Sequence, residues 1–366
     1  MYHRLEIVLF AAIISLLAYA CNTTKPLLSE IPAGDLHSRI YFYDYGLIDK
    51  GWKTRTIDDS ISARLYTGGF DLTLLSAGKS APFEPSISPF GRYLATHHDK
   101  VELGSIVRSD REIDFGIYDL VTNEFTADLA TKVPFPDFEA DAYHIQWSTL
   151  DSGFFYARSD TIRKCYPHGR EDALLYHDGV RTFAVSPSED RILFVRDDSV
   201  QLYDISQRSI RLITTAIRSN KHVRAVSWSL DGSRVAFVQG WKIYVYDIPG
   251  KSVTECKADG EVLWTQWLPD GTLVYTEGKF SYDMQVIKTT ESFKICRLTP
   301  ATGERSVLHE RINHSPFTVR PRLSPSGRLL LFSEPKVNGG YEVKLMSLDG
   351  QFMNTICDGD DPCWGR

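Results

Sequence analysis

The stretch SWSLDGSRVAFVQGWKIYVYDI, residues 227–248, contains a tight turn followed by two short apolar segments. In the turn, SLDG at 229–232, the Asp side chain can bond its own backbone and Gly removes the steric barrier to a positive φ. The segments 234–238 and 242–246 are rich in β-branched and aromatic residues, and each is bounded by Gly or Asp. The stretch therefore predicts a β-hairpin.

Turns of this kind recur along the chain. If the second turn residue is the marker, they lie at 89, 149, 187, 230, 269 and 325, with spacings of 60, 38, 43, 39 and 56. Such intervals suit about four strands each, which is the size of one blade of a β-propeller. A strand ending in Tyr-Asp also repeats, at 117–119, 202–204 and 245–247. The sequence therefore predicts an all-β fold in which four-stranded blades repeat around a ring.

The blade number depends on the residues before the first motif. Strand-like segments occur at 40–45, 61–67 and 70–76, whereas the motif-bearing blades span about 80–357. The early segments could complete the last blade by pairing with C-terminal strands, or could form a seventh blade without the motif. Six turns carry the motif, so we expect a propeller of six, alternatively seven, four-stranded blades over residues 39–366.

The N-terminus carries a targeting signal. Arg4 precedes an apolar run, 7–20, whose 14 residues suit a signal-peptide core better than a membrane span. The sequence AYAC at 18–21 resembles the lipobox of bacterial lipoproteins, in which the Cys is lipidated and becomes the first mature residue. The alternative is an ordinary signal peptide that is cut after Ala20. We expect a lipoprotein signal peptide over 1–20, and a lipidated Cys21 with a flexible tether over 21–38.

The remaining cysteines are informative in an exported protein. Acylation of Cys21 leaves an odd number, so at least one is unpaired or pairs between chains. The tail CDGDDPC suits a small closed loop, and an oxidising location favours a disulfide between Cys357 and Cys363 over two thiols. The pairing of three others stays open: Cys165, Cys256 and Cys296.

The turn SPSGR at 324–328, followed by the apolar strand 329–332, resembles the WD40-like (PD40) repeat of TolB β-propellers. The resemblance covers about residues 80–357. It implies a TolB-like propeller, and TolB-like proteins include periplasmic scaffolds. Related repeats occur in the propellers of prolyl-oligopeptidase-type peptidases and in oligogalacturonate lyases. The chain lacks room for the separate N-terminal domain of TolB, so a TolB-type partnership does not follow.

Motifs for catalysis are missing from the sequence. There is no Gly-x-Ser-x-Gly elbow and no glycine-rich phosphate loop. A net charge of −6 and a pI near 5.9 argue against a nucleic-acid partner. The ten histidines show no metal-ligand spacing, although several near blade-to-blade loops could converge on one face. We expect no catalytic residue, no cofactor and no metal.

Repeat geometry gives a candidate site. The innermost strand of each blade should enter from one face, so residues four or five places before the turn should line the mouth of the central channel. Counting back gives Glu84 and Trp264, and it gives the candidate ligand-binding residues His144, Arg181, Arg224 and Arg320. A cationic rim would suit carboxylate or phosphate groups, whereas the alternative is that each Arg pairs with a nearby carboxylate. Residues just before the turns should be blade-to-blade core: Trp147, Trp228 and Trp267.

These features favour an exported, lipid-anchored propeller without chemistry of its own that binds a protein, peptide or glycan. Its place would be the cell envelope, on the periplasmic or cell-surface face and anchored through Cys21, with the outer membrane favoured. The alternative is a metal-dependent polysaccharide lyase or another propeller hydrolase. The sequence does not indicate an oligomeric state.

Overall fold

The computed structural model describes twenty-seven β-strands and the turns between many of them. The described residues are 39–44, 51–56, 83–89, 92–99, 110–119, 121–122, 124–134, 145–150, 153–158, 161–167, 170–176, 180–196, 199–215, 223–283, 286–312, 321–336 and 339–364. Within these ranges, no helix has the length and apolarity needed to cross a membrane. The apolar run 7–20, Cys21 and the tether 21–38 lie outside the described residues.

Six four-stranded antiparallel sheets follow one another along the chain, here named sheets 1 to 6. Sheet 1 contains β3 (Phe83–Ile87), β4 (Tyr93–Asp99), β5 (Asp110–Asp119) and β6 (Glu124–Pro134). Sheet 2 contains β7 (Gln146–Trp147), β8 (Phe154–Arg158), β9 (Thr161–Cys165) and β10 (Glu171–Tyr176). Sheet 3 contains β11 (Val180–Val185), β12 (Arg191–Arg196), β13 (Ser199–Asp204) and β14 (Ser209–Thr215).

The second half of the chain repeats this arrangement. Sheet 4 contains β15 (Val223–Trp228), β16 (Arg234–Gln239), β17 (Lys242–Asp247) and β18 (Ser252–Cys256). Sheet 5 contains β19 (Glu261–Trp267), β20 (Leu273–Asp283), β21 (Val286–Thr299) and β22 (Glu304–Ile312). Sheet 6 contains β23 (Arg322–Leu323), β24 (Leu329–Pro335), β25 (Tyr341–Ser347) and β26 (Met353–Asp358). Each motif turn connects the first two strands of its sheet, as predicted.

The two ends of the chain share a further sheet of three strands, here named the terminal sheet. It contains β1 (Arg39–Asp44), β2 (Gly51–Thr56) and β27 (Asp360–Trp364), with β1 in the middle. Ile40 lies opposite Trp364 in the antiparallel ladder. β1 matches the predicted segment 40–45, whereas β2 was not predicted. The predicted segments 61–67 and 70–76 lie outside the described residues.

The turn at 229–232 shows why this sequence ends one strand and starts the next. The buried Ser229 hydroxyl accepts a hydrogen bond from the Arg234 amide at 2.9 Å and donates to the Asp231 carboxylate at 2.6 Å. Gly232 has a φ of 67°, which costs Gly little. Hydrogen bonds from the Ser229 and Ser233 hydroxyls lower the pKa of Asp231 to about 2. The carboxylate is therefore part of the turn, as the sequence indicated.

Neighbouring sheets pack through clusters of buried apolar side chains. One cluster joins each successive pair from sheet 1 to sheet 6, and a further cluster joins sheet 6 to Ile40 of the terminal sheet. β27 also contacts β23 of sheet 6 and β3 of sheet 1. The core is therefore divided into layers between sheets, with the first strand of each sheet on the inside.

The tryptophans before the turns belong to these layers. Trp147, Trp228 and Trp267 are each at most 9% exposed and lie in clusters that join two sheets. Trp228 Nε1 donates to the Ala184 carbonyl of the preceding sheet at 3.0 Å. Trp364 repeats this contact, because its Nε1 donates to the Arg322 carbonyl of sheet 6 at 2.9 Å. The predicted core role of the three tryptophans is confirmed.

Candidate functional site

A cavity of about 410 Å³ lies among the innermost strands, at the end where the motif turns lie. Its walls come from β7, β11, β15, β19 and β23. Strand geometry explains which side chains reach it, because alternate residues of a strand point to the same side. The second residue before each turn lines the cavity on all five strands; we name this set the inner ring: Gln146, Ala184, Ser227, Gln266 and Arg322.

Two members of the inner ring join neighbouring strands. The Gln146 amide donates to the Val185 carbonyl at 2.9 Å and accepts from the Val185 amide at 2.7 Å. The Ser227 hydroxyl accepts from the Trp267 amide at 3.2 Å. Backbone groups of inner strands therefore find partners in side chains of the preceding sheet, which fixes the spacing of the cavity wall.

The rim of the cavity is formed by turn residues, among them Pro187 and Leu230. The turns also meet each other: a Cβ on Gly327, whose φ is 71°, would collide with the ring of Pro269 in the preceding turn. Leu230 is 70% exposed, and Leu150, which follows the lining residue Thr149 in the turn of sheet 2, is 64% exposed. The mouth therefore presents aliphatic groups to a ligand or partner.

Glu189 occupies the Gly position of its turn, with a φ of 56°. Its carboxylate accepts hydrogen bonds from the Ser148 hydroxyl and from the Thr149 amide, the latter at 3.2 Å. Lys164 completes the group with an ion pair of 2.8 Å. These bonds tie the turn of sheet 3 to sheet 2 and offset the cost of the left-handed backbone. The negative charge of Glu189 is thereby already neutralised at the cavity rim.

Arg322 supplies the positive charge of the inner ring. Its side chain is partly buried, and within the described parts of the chain it forms no ion pair with a carboxylate. Gln266, one strand away in the ring, offers an amide that can both donate and accept. Trp264 lines the same wall and is only partly buried. This combination can hold a carboxylate by bidentate bonding next to an aromatic face.

Two further polar groups of the wall lack partners. Thr182 is 1% exposed, and its hydroxyl has no hydrogen-bond partner among the described residues. The Trp147 indole nitrogen is likewise without a partner in the described part of the chain. Buried polar groups are normally satisfied, so these two identify places where a water molecule or a ligand atom can bind.

The predicted channel-mouth residues are only partly described. Arg181 lies in β11 and Arg224 lies in β15, which are innermost strands as expected, but their side chains are not described. His144 and Arg320 lie outside the described residues. The structure therefore does not describe the predicted ligand-binding rim of His144, Arg181, Arg224 and Arg320. This rim stays a prediction.

The inner ring was missed by the sequence analysis, although a signal for it exists. Counting four residues back reaches Trp264, which does line the cavity, but the residues two places before each turn line it on all five strands. At that place the motif repeats carry Ser86, Gln146, Ala184, Ser227, Gln266 and Arg322. Polar residues dominate this set even though the neighbouring position is often a buried Trp, which is unusual for a packed strand.

The disulfide predicted between Cys357 and Cys363 would join sheet 6 to the terminal sheet. Cys357 lies in β26 of sheet 6, whereas Cys363 lies in β27 of the terminal sheet. Oxidation of the pair stays a prediction. Cys165 and Cys296 are buried, and burial raises the pKa of each thiol to about 12, so both are unreactive packing residues.

Within the described part of the chain, no group of three or more His, Cys, Asp or Glu side chains is arranged to hold a metal ion.

Comparison with solved structures identifies the architecture. The β-propeller domain of Cps50 (Swd1) from Myceliophteria thermophila matches with a TM-score of 0.50 and 11% identity, over 76% of this chain and 88% of that one. The fold is a β-propeller. An oligogalacturonate lyase in complex with manganese matches with a TM-score of 0.49 and 13% identity, over 76% of this chain and 85% of that one.

A protein described as TolB from Agrobacterium tumefaciens matches with a TM-score of 0.43 and 18% identity, over 70% of this chain and 98% of that one. No protein-family model and no curated protein sequence matches the chain. At these identities the likeness concerns the fold alone. The expected propeller is confirmed, whereas the narrower assignment to TolB-like proteins stays a prediction.

Proposed function

We propose that this propeller is an exported, lipid-anchored binding module of the cell envelope. Its ligand is a peptide or glycan segment that presents a carboxylate to the inner ring. The observation that carries the proposal is Arg322, a cation in the cavity wall without a carboxylate partner among the described residues. The protein binds this ligand and performs no chemistry on it.

We further propose that the ring has seven blades and is closed by the terminal sheet. The apolar clusters connect sheets 1 to 6 in order, and β27 contacts the innermost strands of both sheet 6 and sheet 1. Trp364 of β27 also makes the same contact to the preceding sheet as Trp228. In this arrangement β27 is the innermost strand of the seventh blade.

The volume of the cavity suits a short segment of a peptide or glycan and is too small for a broad protein surface. About 410 Å³ is within the range of pockets that enclose a small ligand. The amides of Gln146 and Gln266 and the hydroxyl of Ser227 suit the polar groups of a peptide or sugar. Leu230 at the mouth then contacts the part of the ligand that remains outside.

Binding of carboxylates by Arg322 can be tested with defined probes. Trigalacturonic acid and acetyl-trialanine with a free carboxylate should bind the wild-type protein in calorimetric titrations. The probe with the higher affinity indicates whether a glycan or a peptide is the better ligand. Arg322→Gln should weaken binding about tenfold or more, because a charge-assisted hydrogen bond contributes about 1.5–3 kcal/mol. Amidated acetyl-trialanine should bind the wild type as weakly as the acid form binds the variant.

The exposed Arg328, which follows the turn of sheet 6, gives the control. Arg328→Gln should bind as the wild type does, and melting curves should show that both variants are folded. Equal binding by the Arg322→Gln variant, or no binding of either acid by the wild type, would contradict the proposed site.

Lipid attachment follows from the sequence AYAC at 18–21. Cys21→Ser should remove the acylated thiol, so the protein should leave the membrane fraction and lose incorporation of labelled palmitate. The matched control is Asn22→Ser, which introduces the same side chain one residue later but leaves Cys21 intact, so this variant should stay membrane-bound. Unchanged labelling and membrane association of the Cys21→Ser variant would show that the anchor lies elsewhere.

A further inference from the structure

The backbone carbonyl of Arg322 is bonded to a residue of the terminal sheet. Trp364 of β27, 42 residues further along the chain, donates its indole N–H to this oxygen at 2.9 Å. Arg322 lines the cavity, whereas Trp364 is not among the described residues that line it. The cation of the inner ring is therefore attached by a hydrogen bond to a strand that takes no part in the cavity wall.

The strand that carries Arg322 is short. β23 contains two residues, Arg322 and Leu323, which lie opposite Leu331 and Leu330 of β24. β23 is at the edge of sheet 6, and β24 is its one ladder partner among the described strands. The hydrogen bond from Trp364 is therefore a second attachment of this strand, independent of the ladder.

Trp364 is itself fixed by two elements. It lies opposite Ile40 of β1 in the terminal sheet, and its ring packs on the apolar cluster that contains Leu331, the ladder partner of Arg322. A bidentate bond between a guanidinium and a carboxylate requires a defined direction, so a small displacement of the backbone weakens it. Trp364 is thus placed to hold Arg322 in the geometry that such a bond needs.

Two tryptophans at comparable places do not support a charged residue in this way. Trp228 donates to the carbonyl of Ala184, an inner-ring member whose side chain is a methyl group. The indole nitrogen of Trp267 has no hydrogen-bond partner among the described residues. Of the three, Trp364 alone bonds to a residue with a charge, which distinguishes it from a tryptophan that only fills a layer between sheets.

We propose that Trp364 is a positioning residue for the carboxylate site, so that the cavity binds an acidic ligand with full affinity only when β27 is paired with β1. This inference rests on the proposed function of Arg322. The coupling is reciprocal, so a carboxylate held by Arg322 also stabilises the attachment of β27. The pairing of the two chain ends then regulates the affinity of a cavity that they do not line.

Trp364→Phe tests the positioning role, because it keeps an aromatic ring in the cluster and removes the N–H donor. The acid probe that binds the wild type more tightly, trigalacturonic acid or acetyl-trialanine, should bind this variant about fivefold more weakly in calorimetric titrations. Its neutral counterpart, the methyl ester or the amide, should bind both proteins equally because it does not use the charge of Arg322. A purely structural role would weaken both probes or neither.

Trp267→Phe is the matched control. The same substitution is made in the layer between sheets 4 and 5, where the indole N–H that it removes has no partner among the described residues. It should leave both affinities unchanged. In the Arg322→Gln background, Trp364→Phe should not weaken binding further, because the group that it positions has been removed. Melting curves identify a temperature at which all of these variants are folded.

Hydrogen exchange of the wild-type protein gives a second measurement, which does not depend on the stability of a variant. The backbone amides of β27 should exchange about fivefold more slowly when the acid probe saturates the protein, since the coupling acts equally in both directions. The neutral counterpart at the same occupancy should leave their exchange unchanged.

The outcomes separate this inference from the proposed function. If neither acid binds the wild type, both are overturned. If Arg322→Gln loses binding but Trp364→Phe binds the acid as the wild type does, the carboxylate site stands and the positioning role is wrong. Equal weakening of the acid and neutral probes by Trp364→Phe, or exchange of β27 that the acid does not slow, would also overturn the positioning role alone.

Discussion

A chain that ends at Asp358 is expected to melt at a lower temperature than the full protein and to be cut rapidly by protease. The missing residues, 359–366, include all of β27, which pairs with β1 and contacts β3 and β23. Trp364 is lost from the layer that packs on Ile40, and the buried Cys363 is lost with it. Removal of one large buried side chain costs about 3–5 kcal/mol, and the deletion also exposes the edge of β1.

A shorter deletion gives the control. Removal of residues 365–366 alone leaves β27 complete and should preserve the melting temperature and protease resistance. Trp364→Ala should fall between the two, because it removes the indole and its bond to Arg322 but keeps the ladder to β1. The closed ring is wrong if the chain that ends at Asp358 melts and resists protease as the full protein does.

Replacement of Glu334 by Gln is expected to lower the free energy of unfolding by about 3–5 kcal/mol. Glu334 is fully buried between sheets 5 and 6, where it contacts His309 at 2.9 Å, Arg311 at 2.6 Å and the Lys344 ammonium. Glutamine keeps the shape but removes the charge, which leaves Arg311 and Lys344 without their shared buried carboxylate. Urea unfolding at pH 7 measures the loss.

The exposed pair of Lys242 and Glu255 provides the comparison. Its side chains are 56% and 45% exposed, so Glu255→Gln should cost less than about 1 kcal/mol. If Glu334→Gln costs no more than Glu255→Gln, the buried cluster does not stabilise the contact between sheets 5 and 6.

The contribution of Glu334 to the free energy of unfolding should also depend on pH. Burial alone would raise the pKa of Glu334, but hydrogen bonds from His309 and Lys344 outweigh burial and lower it from 4.5 to about 2. Since the folded pKa lies below the unfolded one, the carboxylate stabilises the fold fully above pH 4.5, and this contribution is lost as the pH falls towards 2. The stability difference between wild type and Glu334→Gln should therefore shrink over this range.

Local chemistry made the repeats predictable. A turn such as SLDG at 229–232 fixes its own hydrogen bonds, and two short apolar segments beside it can only form a hairpin that is buried on both faces. The burial of the Trp residues before the turns was predicted from the same pattern. The identical tetrapeptide at 347–350, however, joins the third and fourth strands of sheet 6, so the turn alone does not specify a place in the blade.

Features that depend on distant residues were not predictable. β27 has the sequence DDPCW, and its Pro and two acidic residues are not typical of a strand. The segment forms a strand here because it pairs with β1. The inner ring was missed for a similar reason: whether a residue two or four places before a turn reaches the cavity depends on how five separate strands are inclined to one another. Arg322 gives no sign of this role within its own segment.

The pairing of β1 with β27 also determines when the protein can mature. Ile40 can pair with Trp364 only after a further 324 residues have been synthesised. The ladder between the two ends joins residues that are very far apart along the chain, and contacts of this kind form late. For a chain exported as proposed, the nascent polypeptide would remain open until β27 has been synthesised. An unclosed chain can still be threaded through a translocation pore, whereas the closed ring proposed above could not, so the position of one short strand would separate transport from assembly in time.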